Sequence, residues 1–151
     1  MVTMAESTVL LRCRNCGTAN RIPASKLRAH PKCGRCRSPL DFPERPVEVT
    51  ASGFDREVLD HPGVVLLFFW APWCAHCRAM ISLMEEVARE KAGMIKVAMI
   101  NSEKEPSLAR RFDVLSVPKS ILYRYGKKID EMNGEMRKDQ LEAWIGYSLS
   151  G

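Results

Sequence analysis

Six cysteines in 151 residues fall into three Cys-x-x-Cys pairs. Thiols two residues apart can do one of two things: two pairs together grip a soft metal ion, and one pair alone cycles between dithiol and disulfide. Cys13-Arg-Asn-Cys16 and Cys33-Gly-Arg-Cys36, with sixteen residues between them, have the spacing of a tetrahedral four-thiolate zinc site. Each short turn aims both sulfurs at one metal, with Gly17 and Gly34 placed where the backbone must bend tightly. Zinc fits this pattern better than iron or structural disulfides in a reducing compartment. Cys74-Ala-His-Cys77 has no partner pair left to complete a second metal site, so redox exchange is the expected chemistry there.

Those pairs need elements to hold them. Around the four cysteines the apolar residues are few (Leu10, Leu11, Ile22, Leu27, Leu40 and Phe42), too few to offset the ordering of some forty residues. Metal binding must therefore supply most of the folding free energy of this segment. Asp41 to Pro46 carries two prolines among charges and reads as an extended connector that tethers the segment rather than burying it.

From residue 46 the pattern alternates strands and helices. Residues 47–50 read as a short strand, and 54–59 repeat apolar residues at helical spacing. Residues 64–70 are continuously apolar, the mark of a central strand covered on both faces. Residues 77–91 carry a helical stripe of Met80, Ile81, Met84, Val87 and Ala88, ending near Gly93. A strand over 95–100 and a short helix opened by Pro106 follow. Strands over 121–125 and 128–132 are joined by Gly126-Lys127, and a last helix over 138–149 has Leu141, Trp144, Ile145 and Leu149 on its inner face. The reading is an α/β fold, a central mixed sheet flanked by helices, preceded by a small four-cysteine ribbon. The domains are 1–45, ribbon and linker, and 46–151.

Charge divides at the same point. Residues 1–45 carry nine basic and three acidic side chains, a net +6, whereas 46–151 net −1. The ribbon's cations could contact nucleic acid, but a tetrathiolate zinc carries about −2 and calls for neighbouring cations, and Phe42 is the one stacking aromatic. Nucleic-acid binding is the less favoured reading. No apolar run approaches the roughly 20 residues that cross a bilayer, and the first eleven residues lack the features of a secretory signal, so a cytoplasmic protein is expected.

In the second domain, Cys74 falls at the junction of the central strand and the long helix. A thiol there caps the helix, where unpaired N–H groups and the helix dipole stabilise a thiolate. Cys77, one turn further in, is more sheltered. The segment Phe69-Trp-Ala-Pro-Trp-Cys74-Ala-His-Cys77-Arg78, Val117-Pro118 some forty residues on, and Gly134 after the hairpin resemble thioredoxin over essentially all of residues 46–151. With the ribbon in front, the chain resembles the zinc-ribbon thioredoxins of the thioredoxin-2 type.

That resemblance implies a thioredoxin fold with a cis Val117–Pro118 bond facing the redox pair, and an apolar rim of Trp73, Val117, Pro118 and Gly134 that receives a substrate cysteine. It implies Cys74 as nucleophile, Cys77 as resolver, protein disulfides as substrates and an NADPH-dependent thioredoxin reductase as electron donor. Zinc is then the sole cofactor, no organic group is bound, and a monomer is expected.

Two departures from the family pattern stand out. Ala75-His76 replaces the usual Gly-Pro, and an imidazole beside Cys74 stabilises its thiolate, which raises the reduction potential from roughly −270 mV toward the roughly −180 mV of disulfide isomerase. Phe68 and Met99 stand where the family has a buried Asp and its Lys neighbour. Losing both charges together is self-consistent, since stranding one would cost several kcal/mol. The loss leaves proton transfer at Cys77 to His76 or a water. The leading function is disulfide reduction. The alternatives are a less reducing, isomerase- or oxidase-like exchange and a ribbon that senses oxidation or docks substrates. Met80, Met84, Met94, Met99 and Trp144 are expected in the core, His30 and His61 in loops, and Glu85-Glu86 and Lys127-Lys128 on solvated faces.

Overall fold

The computed structural model describes residues 8–26, 29–40 and 42–150. Leu27, Arg28 and Asp41 of the expected ribbon and connector lie outside these residues.

The ribbon is two antiparallel strands, β1 (Thr8–Arg12) and β2 (Ala19–Pro23), with Leu11 opposite Asn20. Its two cysteine turns repeat one geometry. Cys13 N–H donates to Thr18 O and Cys33 N–H to Ser38 O, both at 2.8 Å. The residue after the second cysteine of each turn has positive φ: Gly17 at 78° and Arg37 at 68°. The left-handed position is therefore Arg37, not Gly34. Gly34 instead donates its N–H to Asn20 Oδ1 at 2.9 Å. Among the described residues, Leu11, Ile22 and Leu40 with Cys13 and Cys33 form the buried cluster of this part.

The second domain is a five-stranded mixed sheet in the order β3-β5-β4-β6-β7. Its strands are β3 (Val47–Glu48), β4 (Val64–Trp70), β5 (Ile95–Asn101), β6 (Lys119–Arg124) and β7 (Lys127–Asn133). β4 runs parallel to β5 and antiparallel to β6, at the centre of the sheet, as its unbroken apolar sequence requires. Period-two alternation splits its side chains between two layers. Leu66 and Phe68 face helices α1 (Ala75–Glu90) and α3 (Lys138–Ser150), meeting Met80, Met84, Leu141, Trp144 and Ile145. Val65, Leu67 and Phe69 face the other way, toward Phe54, Val58 and Leu108 of the short helix α2 (Pro106–Arg111).

Three local expectations change. Residues 55–59 form one turn of π-helix rather than α-helix, with Asp60 N–H donating to Asp55 O at 2.8 Å, and the wider turn buries Glu57 as well as Val58. The hairpin turn is centred on Tyr125-Gly126, with φ of 51° and 78°, because a two-residue turn matched to strand twist needs positive φ at both positions. Met94 is exposed, in the loop before β5, whereas Met80 and Met84 are fully buried and Met99 packs against the α1 layer.

The ribbon does more than hang on a tether. Arg12 Nε donates to the Asp60 carbonyl at 3.3 Å, Arg14 stands 3.8 Å from the Glu57 carboxylate, and Phe42 packs edge-on against His61 at 6.1 Å between centroids. These contacts seat it beside the π-turn.

Candidate active site and metal centre

β4 ends at Trp70, and Ala71 to Trp73 turn the chain into α1, which places Cys74 at the helix N-cap with extended backbone (φ −88°, ψ 109°). Its Sγ accepts the Cys77 N–H at 3.1 Å, so the sulfur occupies the position where helix N–H groups stabilise negative charge. The pair is joined as a disulfide with a Cα–Cα distance of 5.2 Å, inside the range that bridges without backbone movement. Cys77 is fully buried and Cys74 nearly so, which makes Cys74 the sulfur nearer solvent.

Of the residues expected at the rim, Val117 lies against that sulfur. The Val117–Pro118 bond is cis, and the Val117 carbonyl oxygen lies 3.7 Å from Cys74 Sγ. Gly134 N–H donates to Pro118 O at 2.9 Å, which holds the loop after β7 against the cis-proline turn. Trp73 is 72% exposed beside the pair.

Glu135 is a residue the sequence reading missed. Its Oε1 lies 2.7 Å from His76 Nδ1, which ties the residue between the cysteines to the loop that carries Gly134. Behind the pair, Phe68 and Met99 are direct neighbours on β4 and β5 and share the apolar cluster with Cys77. The two uncharged substitutions thus stand side by side.

In the ribbon, the Sγ atoms of Cys13, Cys16, Cys33 and Cys36 all lie within 4.8 Å of one another, with 3.5 Å separating Cys13 from Cys36 and Cys16 from Cys33. A tetrahedral zinc at about 2.3 Å from each sulfur requires edges of about 3.8 Å, so the donor set fits zinc in both chemistry and size. The surroundings favour the thiolate at Cys33 and Cys36, whereas at Cys13 the Cys16 N–H is outweighed by burial and the neighbouring sulfurs, which raise the thiol. The Ser38 hydroxyl and N–H hold Cys36 down to about 5, and the backbone N–H of Cys36 holds Cys33 down to about 7. Asn15 Nδ2 adds a donor 3.5 Å from Cys36 Sγ.

A redox-active cysteine pair capping the helix after a central strand, with a cis-proline turn against it, defines a disulfide oxidoreductase of the thioredoxin fold. The thioredoxin family model matches residues 45–147, so the chain belongs to the thioredoxin family, and a second model, the N-terminal zinc ribbon of thioredoxin 2, matches residues 12–38. The chain is 30% identical to thioredoxin C-3 of Corynebacterium nephridii over 141 residues, covering 93% of this chain and 96% of that one. It is 37% identical to thioredoxin 1 of Nostoc sp. over 102 residues, covering 68% and 95%.

Proposed function

We propose that the protein reduces protein disulfides. Cys74 thiolate attacks one sulfur of a substrate disulfide, forming a mixed disulfide and releasing one substrate thiolate. Cys77 thiolate then attacks Cys74 Sγ, which closes the Cys74–Cys77 disulfide and releases the second substrate thiolate. Two electrons pass to the substrate, whose thiolates take protons from solvent. Trp73, Val117, Pro118 and Gly134 receive the substrate chain, with the Val117 backbone pairing to it. The observation that carries this reading is Cys74 Sγ at the α1 N-cap, 3.1 Å from Cys77 N and facing Val117 O.

A thioredoxin reductase drawing on NADPH regenerates the dithiol. A reducing, cytoplasmic setting is supported by a four-cysteine set arranged to hold one metal ion rather than as two disulfides. Zinc in the ribbon cross-links Cys13, Cys16, Cys33 and Cys36 and takes no part in electron transfer; the protein acts as a monomer.

A second reading, isomerase-like exchange, is favoured by one observation: the His76–Glu135 pair beside Cys74. Insulin reduction driven by NADPH and thioredoxin reductase tests the first reading. Turnover that vanishes in Cys74→Ser supports it. Turnover absent in the wild type, together with reactivation of scrambled ribonuclease in a glutathione buffer, would replace it with the second.

A further inference from the structure

The ribbon and the thioredoxin domain enclose a cleft of about 260 Å³. It lies at the opposite end of the sheet from the redox pair. Lys96 pairs with Val65 near the start of β4, whereas Cys74 follows its end, some five strand residues or roughly 17 Å away.

Four cations line the cleft, two from each side: Arg12 and Arg14 flank the ligand Cys13, Arg56 comes from the π-turn, and Lys96 from β5. Two acidic residues, Glu57 and Asp60, line it as well, and Glu57 sits among three of the cations. Lys96 Nζ, only 6% exposed, donates to Glu57 Oε2 at 3.1 Å and to Glu57 O at 2.8 Å. Arg14 and Arg56 each stand 3.8 Å from Glu57 Oε1, close enough for attraction but too far for a hydrogen bond. Their guanidinium donors are therefore uncommitted to it, and the four cations of the cleft against its two acids, Glu57 and Asp60, leave two positive charges. Arg12 spends its donors on the carbonyls of Gly17 and Asp60. His61 lines the same cleft, and burial together with Lys96 holds it down to about 4, so it offers a neutral ring.

Two exposed guanidinium forks over a buried ammonium match tetrahedral oxygens better than a planar carboxylate, because each fork can donate two parallel N–H bonds to a phosphoryl group. We propose that this cleft binds a small phosphate dianion, free or as a phosphomonoester, and that the bound anion bridges the ribbon to the thioredoxin domain. The apolar side of the cleft, at Leu11 and Pro43, gives room for an ester's organic part.

Titration calorimetry of the full zinc-loaded chain with inorganic phosphate and with pyrophosphate, at ionic strength held constant with chloride, tests this. One saturable site per chain is expected, with a thermal midpoint that rises with ligand concentration. Arg56→Gln, on the thioredoxin-domain side of the cleft, weakens binding about tenfold, the loss of a charge-assisted contact. Arg14→Gln does the same, with zinc content assayed to show that the ribbon is intact. Arg137→Gln, paired with Asp139 elsewhere on the surface, leaves binding unchanged. No saturable heat by roughly 10 mM of either anion would overturn the proposal. So would equal weakening by all three substitutions, or saturation by a short oligonucleotide with none by phosphate or pyrophosphate.

Discussion

His76 Nδ1 lies 2.7 Å from Glu135 Oε1. The side chain that separates the active-site cysteines is therefore anchored to the residue after Gly134, across the rim where substrate enters. Nδ1 is committed to the carboxylate, and one ring nitrogen, Nε2, is left for solvent, substrate or sulfur. A residue between the cysteines thus gains a fixed orientation, and Glu135 is the positioning group.

The first prediction concerns potential. An imidazole beside Cys74 that donates a hydrogen bond to its sulfur favours the thiolate and hence the dithiol form, which makes the pair a weaker reductant. His76→Pro is expected to make the potential more negative by about 30 mV or more, equivalent to about 1.4 kcal/mol in a two-electron couple. Glu135→Gln is expected to change it in a way that disappears once His76 is already Pro. Equilibration against glutathione reads both. Identical potentials for the wild type and His76→Pro would remove the histidine from the redox argument.

The second prediction concerns the uncharged floor behind Cys77. Phe68 is fully buried, Met99 is beside it on β5, and Ser120, opposite Phe68 on β6, has a buried hydroxyl without a partner among the described residues. Phe68→Asp places a lone carboxyl in this layer. The chain should lose several kcal/mol of stability, and more as pH rises above the ordinary carboxylate range, because burial favours the protonated form. Adding Met99→Lys should recover part of the loss by pairing the charge. Urea unfolding of the two single variants and the double variant gives the coupling; a double variant no better than the sum of the singles would show that the two positions do not interact.

Much of this was legible in the sequence because it rests on covalent spacing or periodicity. The four-thiolate cluster follows from two Cys-x-x-Cys turns, β4 from an unbroken apolar run, and α1 from its stripe of Met80, Met84, Val87 and Ala88. What escaped depends on partners distant in sequence. Lys96 sits inside Ile95-Lys-Val-Ala-Met-Ile100 and reads as an interruption of an apolar strand until the π-turn brings Glu57 to it, 39 residues away. Glu135 gains meaning only once the β7–α3 loop crosses the head of α1. The seating of the ribbon depends on Arg12 and Arg14, whose charges look like a response to zinc alone.

The third prediction concerns that buried pair. Burial opposes ionisation of Glu57, yet the Lys96 ammonium at 3.1 Å prevails, so the carboxyl titrates below its ordinary 4.5. A carboxylate depressed in the folded state contributes stability above the unfolded value, which is lost as pH falls through the folded one. Glu57→Gln strands a buried ammonium and should cost about 3–5 kcal/mol at neutral pH. The deficit relative to the wild type should shrink below about pH 4.5, where the wild type loses the same charge. Glu57→Gln with Lys96→Met should recover most of the stability. A deficit that stays constant from neutral to acid pH would place its origin in packing rather than charge.

Metal removal separates the two halves of the molecule. The ribbon's buried cluster is essentially Leu11, Ile22 and Leu40 with two of the cysteines, so stripping zinc should unfold β1 and β2 and free Arg12 and Arg14 from the π-turn. The thioredoxin sheet has its own two apolar layers and should persist. Because the ribbon docks at the start of β4 and the redox pair sits at its far end, insulin reduction should change less than about twofold when zinc is chelated from the full chain, the effect expected of sites that share no contacts. Amide exchange and activity measured on the same chelated sample decide it. Loss of ribbon protection with activity retained supports a structural ribbon, whereas activity lost in step with zinc would mean that the ribbon acts on Cys74 through the intervening sheet.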